Sequence, residues 1–316
     1  MSPDDLTRLF SSLTVWENGS KRAPHKPLLL LHALGRFASS EPQLPYASVE
    51  GPLAELLVDF GRSQSRPNPH YPFWRLQRDG VWKVIPTEGI VFTASGDPTI
   101  TSLRTVNPSG GFAPAVEETF RQRPESIADI ARLLLDAHFA PTLHEPILDA
   151  VGLDLDALGA SGAPRQRRKR DRAFREAVLR AYGYRCAVCG FETRVGRTLV
   201  GLDAAHVKWH QAGGADEVPN GLALCALHHR LLDRGAYTLA PSSSHEIIVD
   251  VAEDAHGGEG FERWLLAYHG RPLAQPVQSG YRVAEPSAAW HRREVFRGPA
   301  REPLALEARA GAAQVP

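Results

Sequence analysis

Residues 218–235 read VPNGLALCALHHRLLDRG, and two shorter stretches lie upstream of them, YRCAVCG at 184–190 and LDAAHVKWH at 202–210. Cys186 and Cys189 form a C-x-x-C pair, and Cys225 and His228 repeat the spacing as C-x-x-H. Two residues between ligands let one tight turn aim both side chains at the same ion, so two such pairs can close a tetrahedral site. Thiolates and an imidazole in that arrangement call for structural Zn2+. A single C-x-x-C would say little. Here the two pairs use all three cysteines of the chain, which leaves no fully paired disulfide framework. The plainer alternative is a set of free thiols, with His228 on a helix face.

Composition bounds what can surround such a site. A chain of 316 residues can bury two cores of ordinary domain size. Hydrophobic residues make up 43% and charged residues 23%, the balance of a water-soluble globular protein. No apolar run approaches the roughly 20 residues that cross a bilayer, and the longest, Leu28–Leu31, sits in a mixed segment. The opening MSPDDLTRLF is acidic and lacks the apolar centre of a signal peptide. A cytoplasmic protein with no membrane partner is expected. The 36 basic and 36 acidic side chains cancel. That argues against a simple polycation but not against a nucleic-acid binder, because binding depends on local fields. The half beyond residue 160 is the more basic, and its densest run is RQRRKRDRAFREAVLR at 165–180.

Patterning along the chain gives an α+β fold in two domains. Ser2 reads as an N-cap with Pro3 in the first turn. APHKPLLLLHALGRF carries a second helix entered through Pro24 or Pro27, and a third is expected from about Ser48 to Phe60, with Pro52 limiting its start. YPFWRL, QRDG and VWKVI, residues 71–85, read as a β-hairpin around an Asp-Gly turn. ESIADIARLLLDAHF repeats apolar residues at helical spacing behind Pro124. GLDLDALGASGAP at 152–164 turns small and glycine-rich, which places the domain boundary there. No internal repeat is present. In the first half, NPHYPFWRL at 68–76 sets an apolar, proline-stiffened wedge among Arg62, Arg66, Arg78 and Lys83.

The second half resembles HNH nucleases of the ββα-metal fold, McrA-like members among them. His206 stands in the first-histidine position, Asn220 in the asparagine position and His229 in the second-histidine position, with the zinc pairs straddling the motif. LDAAHV is similar to the acidic-Ala-Ala-His variant of the first strand. The resemblance implies that His206 is the general base, neutral near pH 7 as imidazole can be. It implies that His229 holds one Mg2+ or Mn2+ against the scissile phosphate, and that Asn220 fixes a loop rather than touching substrate. Many members carry a metal ligand immediately before the base, where this chain has Ala205. Asp203 lies three residues before His206, and Asp233 lies four after His229 on one helix face; either carboxylate can be the second ligand. Asp233 can equally pair with Arg230 or Arg234. His210 is assigned no role. The nine basic residues between Arg165 and Arg185 would track DNA phosphates, which adds affinity without sequence information.

KRAPHKPLLLL, QSRPNPHYPFWRL and LRTVNPSGGF, in this order, resemble the sulfur-binding domain of restriction enzymes that cut phosphorothioate DNA. Sulfur is larger, softer and less hydrated than the oxygen it replaces. An apolar hollow therefore receives it at little cost, whereas a buried phosphate oxygen without partners is penalised. Tyr71 and Pro72 are expected to form that hollow, and the resemblance implies that His25 and Arg104 line it. Lys26, Gln64 and Arg66 are candidates for DNA contacts, while Phe73 and Trp74 are expected in the core.

The expectation is thus a mainly helical sulfur-binding-type reader with a β-hairpin at 1–155 and a linker at 156–168. A zinc-stabilised HNH nuclease at 169–297 and a tail at 298–316 follow. Its partner is double-stranded DNA carrying phosphorothioate. One HNH site cuts one strand, so a double-strand break calls for a homodimer or sequential nicking. Two rivals differ in observable ways. A methylcytosine-dependent endonuclease needs an aromatic pocket for a flipped base, with Trp16, Trp74 and Trp82 as candidates. A zinc-stabilised DNA-binding regulator with an inactive nuclease fold would not hydrolyse DNA.

Overall fold

The Ser2 hydroxyl accepts the Asp5 backbone N–H and the Asp5 carboxylate accepts the Ser2 N–H, a reciprocal cap that starts the first helix. The structure is a computed structural model. It describes residues 1–14, 24–61, 67–159, 167–242 and 246–302, with the backbone alone at 167–172. The chain divides into two units, Met1–Ala163 and Pro164–Pro316. Among the described residues no helix is long and apolar enough to cross a membrane. Gln64, Arg66, Trp16 and most of the C-terminal tail lie outside the described residues.

The first unit runs α1 (Pro3–Ser11), α2 (His25–Ala38), β1 (Gln43–Pro45), α3 (Tyr46–Phe60), α4 (His70–Arg75), β2 (Trp82–Ile85), α5 (Ile100–Val106), β3 (Ser109–Phe112), α6 (Pro114–Gln122), α7 (Glu125–His138) and α8 (His144–Val151). Leu28, Leu29, Leu30, Leu31 and Leu34 are all fully buried, so α2 is the central helix rather than an amphipathic surface one. Phe10, Phe37, Phe112 and Phe120 close the core around it, with ring centroids 5.0 to 6.4 Å apart. The strands form one antiparallel sheet in the order β1-β3-β2.

The hairpin expected at 71–85 is corrected by this arrangement. Its first arm is helix α4, continued by a 3-10 turn at Leu76–Asp79 and a left-handed Gly80 with φ 74°. Only the second arm is a strand, and it pairs with β3: Trp82 faces Phe112 and Ile85 faces Ser109. Phe73 and Leu76, three residues apart, are both fully buried, which is helical rather than alternating spacing. The true partner strand contains Gly110 and Gly111, and glycine carries no strand signal. Gly110 is required there, because an added Cβ would lie 2.4 Å from the Trp82 ring and 2.8 Å from Phe73.

The second unit runs α9 (Arg167–Ala181), β4 (Arg194–Val195), β5 (Thr198–Leu199), β6 (Leu202–His206), β7 (Gly221–Cys225), α10 (Ala226–Asp233), β8 (Tyr237–Pro241), β9 (Ile247–Val251), α11 (Glu259–Trp264) and α12 (Glu285–Glu294). β6 and β7 pair antiparallel, with His206 opposite Gly221 and Asp203 opposite Leu224. Every residue of β7 is buried, and α10 follows it directly with Cys225 at the N-cap. This strand–strand–helix unit packs on Phe174, Val178 and Leu179 of α9. Its core fixes the ends of β6 and α10, where the polar residues cluster.

Candidate functional site

Cys186 and Cys189 occupy the turn after α9, and Cys225 and His228 the start of α10. Their ligand atoms lie within 4.8 Å of one another. Cys189 Sγ is 4.0 Å from Cys225 Sγ, and His228 Nδ1 is 3.1 Å from Cys225 Sγ and 3.7 Å from Cys186 Sγ. Zinc–sulfur bonds of about 2.3 Å put tetrahedral ligands about 3.8 Å apart, so the donor set fits a zinc ion. His228 Nε2–H donates to the Trp264 carbonyl at 2.8 Å, which leaves Nδ1 as the ligating nitrogen. Contacts from Cys189 and Cys225 stabilise a thiolate at Cys186 and lower its pKa, while the same sharing pushes the Cys189 thiol up.

His229, one residue on, belongs to a different cluster. Its Nδ1 lies 3.6 Å from Asp203 Oδ2 and its Nε2 lies 3.3 Å from Asp233 Oδ2. Burial works against a charge on His229, but the Asp203 contact and the Asp233 and Asp203 carboxylates outweigh it and raise its pKa. The imidazole in turn holds the Asp203 carboxyl below its ordinary value. The two carboxylates differ in access: the Asp203 side chain is 53% exposed and that of Asp233 only 2%. Asp233 also accepts the Trp209 indole N–H at 2.9 Å. The His229 Nδ1 atom is buried without a hydrogen-bond partner, facing the more open carboxylate. A divalent cation between Nδ1 and Asp203 fits that pair, with Asp233 orienting the ring from the other side.

His206 ends β6. Its ring stacks on Phe174 at 4.1 Å and 15°, and its Nε2 lies 2.9 Å from Asp216 Oδ1. His210 Nδ1 is 3.4 Å from the same oxygen. Asn220 is buried and makes three side-chain hydrogen bonds of 2.9 Å, accepting from Lys208 N–H and donating to the Lys208 and Ala215 carbonyls. It therefore pins the loop that carries His210 and Asp216. Sequence reasoning missed Asp216 and Trp209 and set His210 aside; the one available signal was an acid and a histidine in the loop after the candidate base. Of the basic run, Arg175 donates to the Leu202 carbonyl, Arg180 pairs with Glu176 and Arg185 with Glu192. Phosphate tracking by this run would fall to residues 165–172, whose side chains lie outside the described set.

In the first unit, Tyr71 is 37% exposed while Pro72 is buried. The Tyr71 ring lies 4.0 Å from the His70 ring and 4.6 Å from the Arg75 guanidinium. Arg75 is held by a two-pronged pair with Asp97 at 2.7 and 2.5 Å. His25 begins α2 half-buried, and burial lowers its pKa. Lys26 donates to the Thr14 carbonyl and pairs with Asp79, so its ammonium clamps the unit together. Arg104 forks onto Glu50, yet its side chain remains 64% exposed. Trp74 is half-buried rather than in the core, its ring 5.2 Å from that of Phe92 and tilted 57° to it, and Trp82 is 3% exposed in the core, where it offers no face to a flipped base.

A chain with a largely buried Cys3His cluster beside a histidine-rich strand–strand–helix unit has the layout of an HNH nuclease, and residues 186–240 match the HNH endonuclease family. Residues 3–156 match the family of ScoMcrA-like DNA sulfur-binding domains. In chain order, a match to ScoMcrA-like DNA sulfur-binding domains is thus followed by a match to HNH endonucleases. Among solved structures, the sulfur-binding domain of ScoMcrA complexed with phosphorothioated DNA is 29% identical, with 48% of this chain and 96% of that chain covered and a TM-score of 0.43. The corresponding SprMcrA complex is 27% identical, over 49% and 96%, with a TM-score of 0.41. The type IV phosphorothioation-dependent restriction endonuclease ScoMcrA is 28% identical, over 48% of this chain and 32% of that one, with a TM-score of 0.41. No curated protein matches the chain.

Proposed function

We propose that the chain is a modification-dependent restriction endonuclease. It binds double-stranded DNA carrying phosphorothioate through its first unit and hydrolyses phosphodiester bonds nearby with its second. The observation that carries this reading is the convergence of His206, His229 and Asp203 on one strand–strand–helix unit, in a chain whose residues 3–156 match a sulfur-binding domain.

Asp216 accepts the Nε2–H of His206, so Nδ1 is the basic nitrogen and takes the proton of the attacking water. The water oxygen bonds to phosphorus as the opposite P–O ester bond breaks. Phe174 holds the imidazole plane by stacking, and Asn220 acts at one remove by fixing the loop that carries Asp216. His229 and Asp203 would hold Mg2+ or Mn2+, which would supply positive charge against the phosphate and the leaving oxygen. Asp233 keeps the His229 ring in place. Cys186, Cys189, Cys225 and His228 would hold structural Zn2+, which would tie the turn after α9 to the start of α10.

In the first unit Tyr71 supplies the exposed apolar wall, and the buried Pro72 stiffens the turn behind it. His25 and Arg104 complete the rim. A hollow of this kind discriminates by about 1–3 kcal/mol, or roughly 10- to 200-fold. Cleavage of one duplex sequence with and without a single phosphorothioate, in Mg2+ and in Mn2+, tests the function. The modified duplex should be nicked and the plain one spared, and His206→Ala should cut neither. Full cutting by His206→Ala would remove the base assignment, and equal cutting of both duplexes would remove the modification dependence.

A further inference from the structure

His206, His210 and Asp216 place two imidazole nitrogens and a carboxylate oxygen within 4.8 Å of one another. None of the three is a ligand in the Cys3His cluster or in the His229–Asp203 pair. The Asp216 oxygen is 2.9 Å from His206 Nε2 and 3.4 Å from His210 Nδ1. Zinc bonds of about 2.0–2.2 Å to nitrogen and oxygen set tetrahedral ligand atoms about 3.3–3.5 Å apart; the His210 distance matches, and the shorter His206 distance is that of the hydrogen bond an ion would replace. The frame is also built in advance. Asn220 pins the loop at Lys208 and Ala215, the buried Trp209 is anchored on Asp233, and the loop closes so tightly that a Cβ at Gly214 would lie 1.8 Å from the Lys208 carbonyl oxygen. Side-chain exposures of 21% for His206, 56% for His210 and 34% for Asp216 leave the fourth position open to water.

We propose that His206, His210 and Asp216 form an inhibitory site for a borderline transition-metal ion, zinc above all, distinct from the structural and catalytic metals. Two imidazoles beside one carboxylate suit zinc better than Mg2+, whose binding weakens as nitrogen donors replace oxygen. The consequence rests on the reading of His206 as the base. A neutral imidazole carries one proton. In the working state it sits on Nε2, donated to Asp216, and Nδ1 can accept the proton of water. Metal on Nε2 moves the ring proton to Nδ1, so the basic nitrogen is capped without any net gain or loss of protons.

The test compares the full chain with His210→Ala, a substitution at an exposed residue outside the cutting machinery. Zinc bound per chain is measured by equilibrium dialysis, and zinc inhibition of phosphorothioate-duplex nicking is measured in millimolar Mg2+. The variant should nick like the wild type in Mg2+ alone, bind one zinc fewer, and need at least about tenfold more zinc for half-inhibition. An unchanged zinc count overturns the site. Half-inhibition at the same zinc concentration assigns the inhibition to the His229–Asp203 position and overturns the proposal as well. Should neither protein cut, the functional reading fails while the zinc count still decides the site.

Discussion

Asp203 and Asp233 stand on either side of the His229 imidazole, and burial separates the roles proposed for them. A carboxylate with half its surface open can meet a phosphate and an ion together, whereas one sealed against Trp209 can only orient the ring. Asp203→Asn should therefore raise the Mg2+ needed for half-maximal nicking by about 10- to 100-fold, by analogy with metal sites that lose a partner, and leave the melting temperature unchanged. Asp233→Asn should instead lower the stability of the second unit by about 1–3 kcal/mol, the cost of a disturbed buried hydrogen bond. Mg2+ titrations beside thermal melts check both, and the reverse pattern would exchange the assignments. His206, Asn220 and His229 could be picked out of the sequence as candidates because the motif is linear. The choice between the two carboxylates could not be read there, since strand and helix spacing allow both to reach His229. Asp216 was also hidden, because nothing in a spacing of ten residues says that Asn220 will fold the intervening loop back onto His206.

The helices of the first unit were legible where capping and apolar spacing agreed, as at Ser2–Asp5 and behind Pro124. The segment at 71–85 was misread because aromatic residues favour strands in isolation, whereas burial of Phe73 and Leu76 on one side selects a helix. The correct sheet partner, with two adjacent glycines, gives no hydrophobic pattern at all. In the second unit the paired ligand spacing was decisive, because it ties the turn after α9 to the N-terminus of α10 whatever lies between. Zinc at that place would be part of the folding free energy of the unit. Treatment with a strong zinc chelator should lower the melting transition of the second unit and leave that of the first in place, followed by calorimetry of the full chain. Two transitions untouched by chelation would show that the cluster folds without metal.

Each unit of the molecule carries its own core, so each answers to its own conditions. Burial lowers the pKa of His32 and of His138 to about 4, with the Arg36 charge adding to the effect at His32. The unfolded value is near 6.5, so between these values the unfolded chain binds more protons than the folded one. The stabilisation from the two neutral imidazoles is complete above about pH 6.5 and is lost as the pH falls through about 4. Melting temperatures of the first unit should decline across that window, and a flat profile would contradict the burial of these rings. The balanced net charge of the chain leaves target choice to local chemistry rather than to overall attraction. The central claim is that an apolar wall at Tyr71, rimmed by cations, distinguishes sulfur from oxygen on the DNA backbone. Its most direct measurement is the dissociation constant for one duplex with and without a single phosphorothioate, at matched salt because backbone affinity depends steeply on it. The modified duplex should hold an advantage of about 10- to 200-fold for the wild type and little for Tyr71→Ala; equal affinity of the wild type for the two duplexes would contradict the role of that wall.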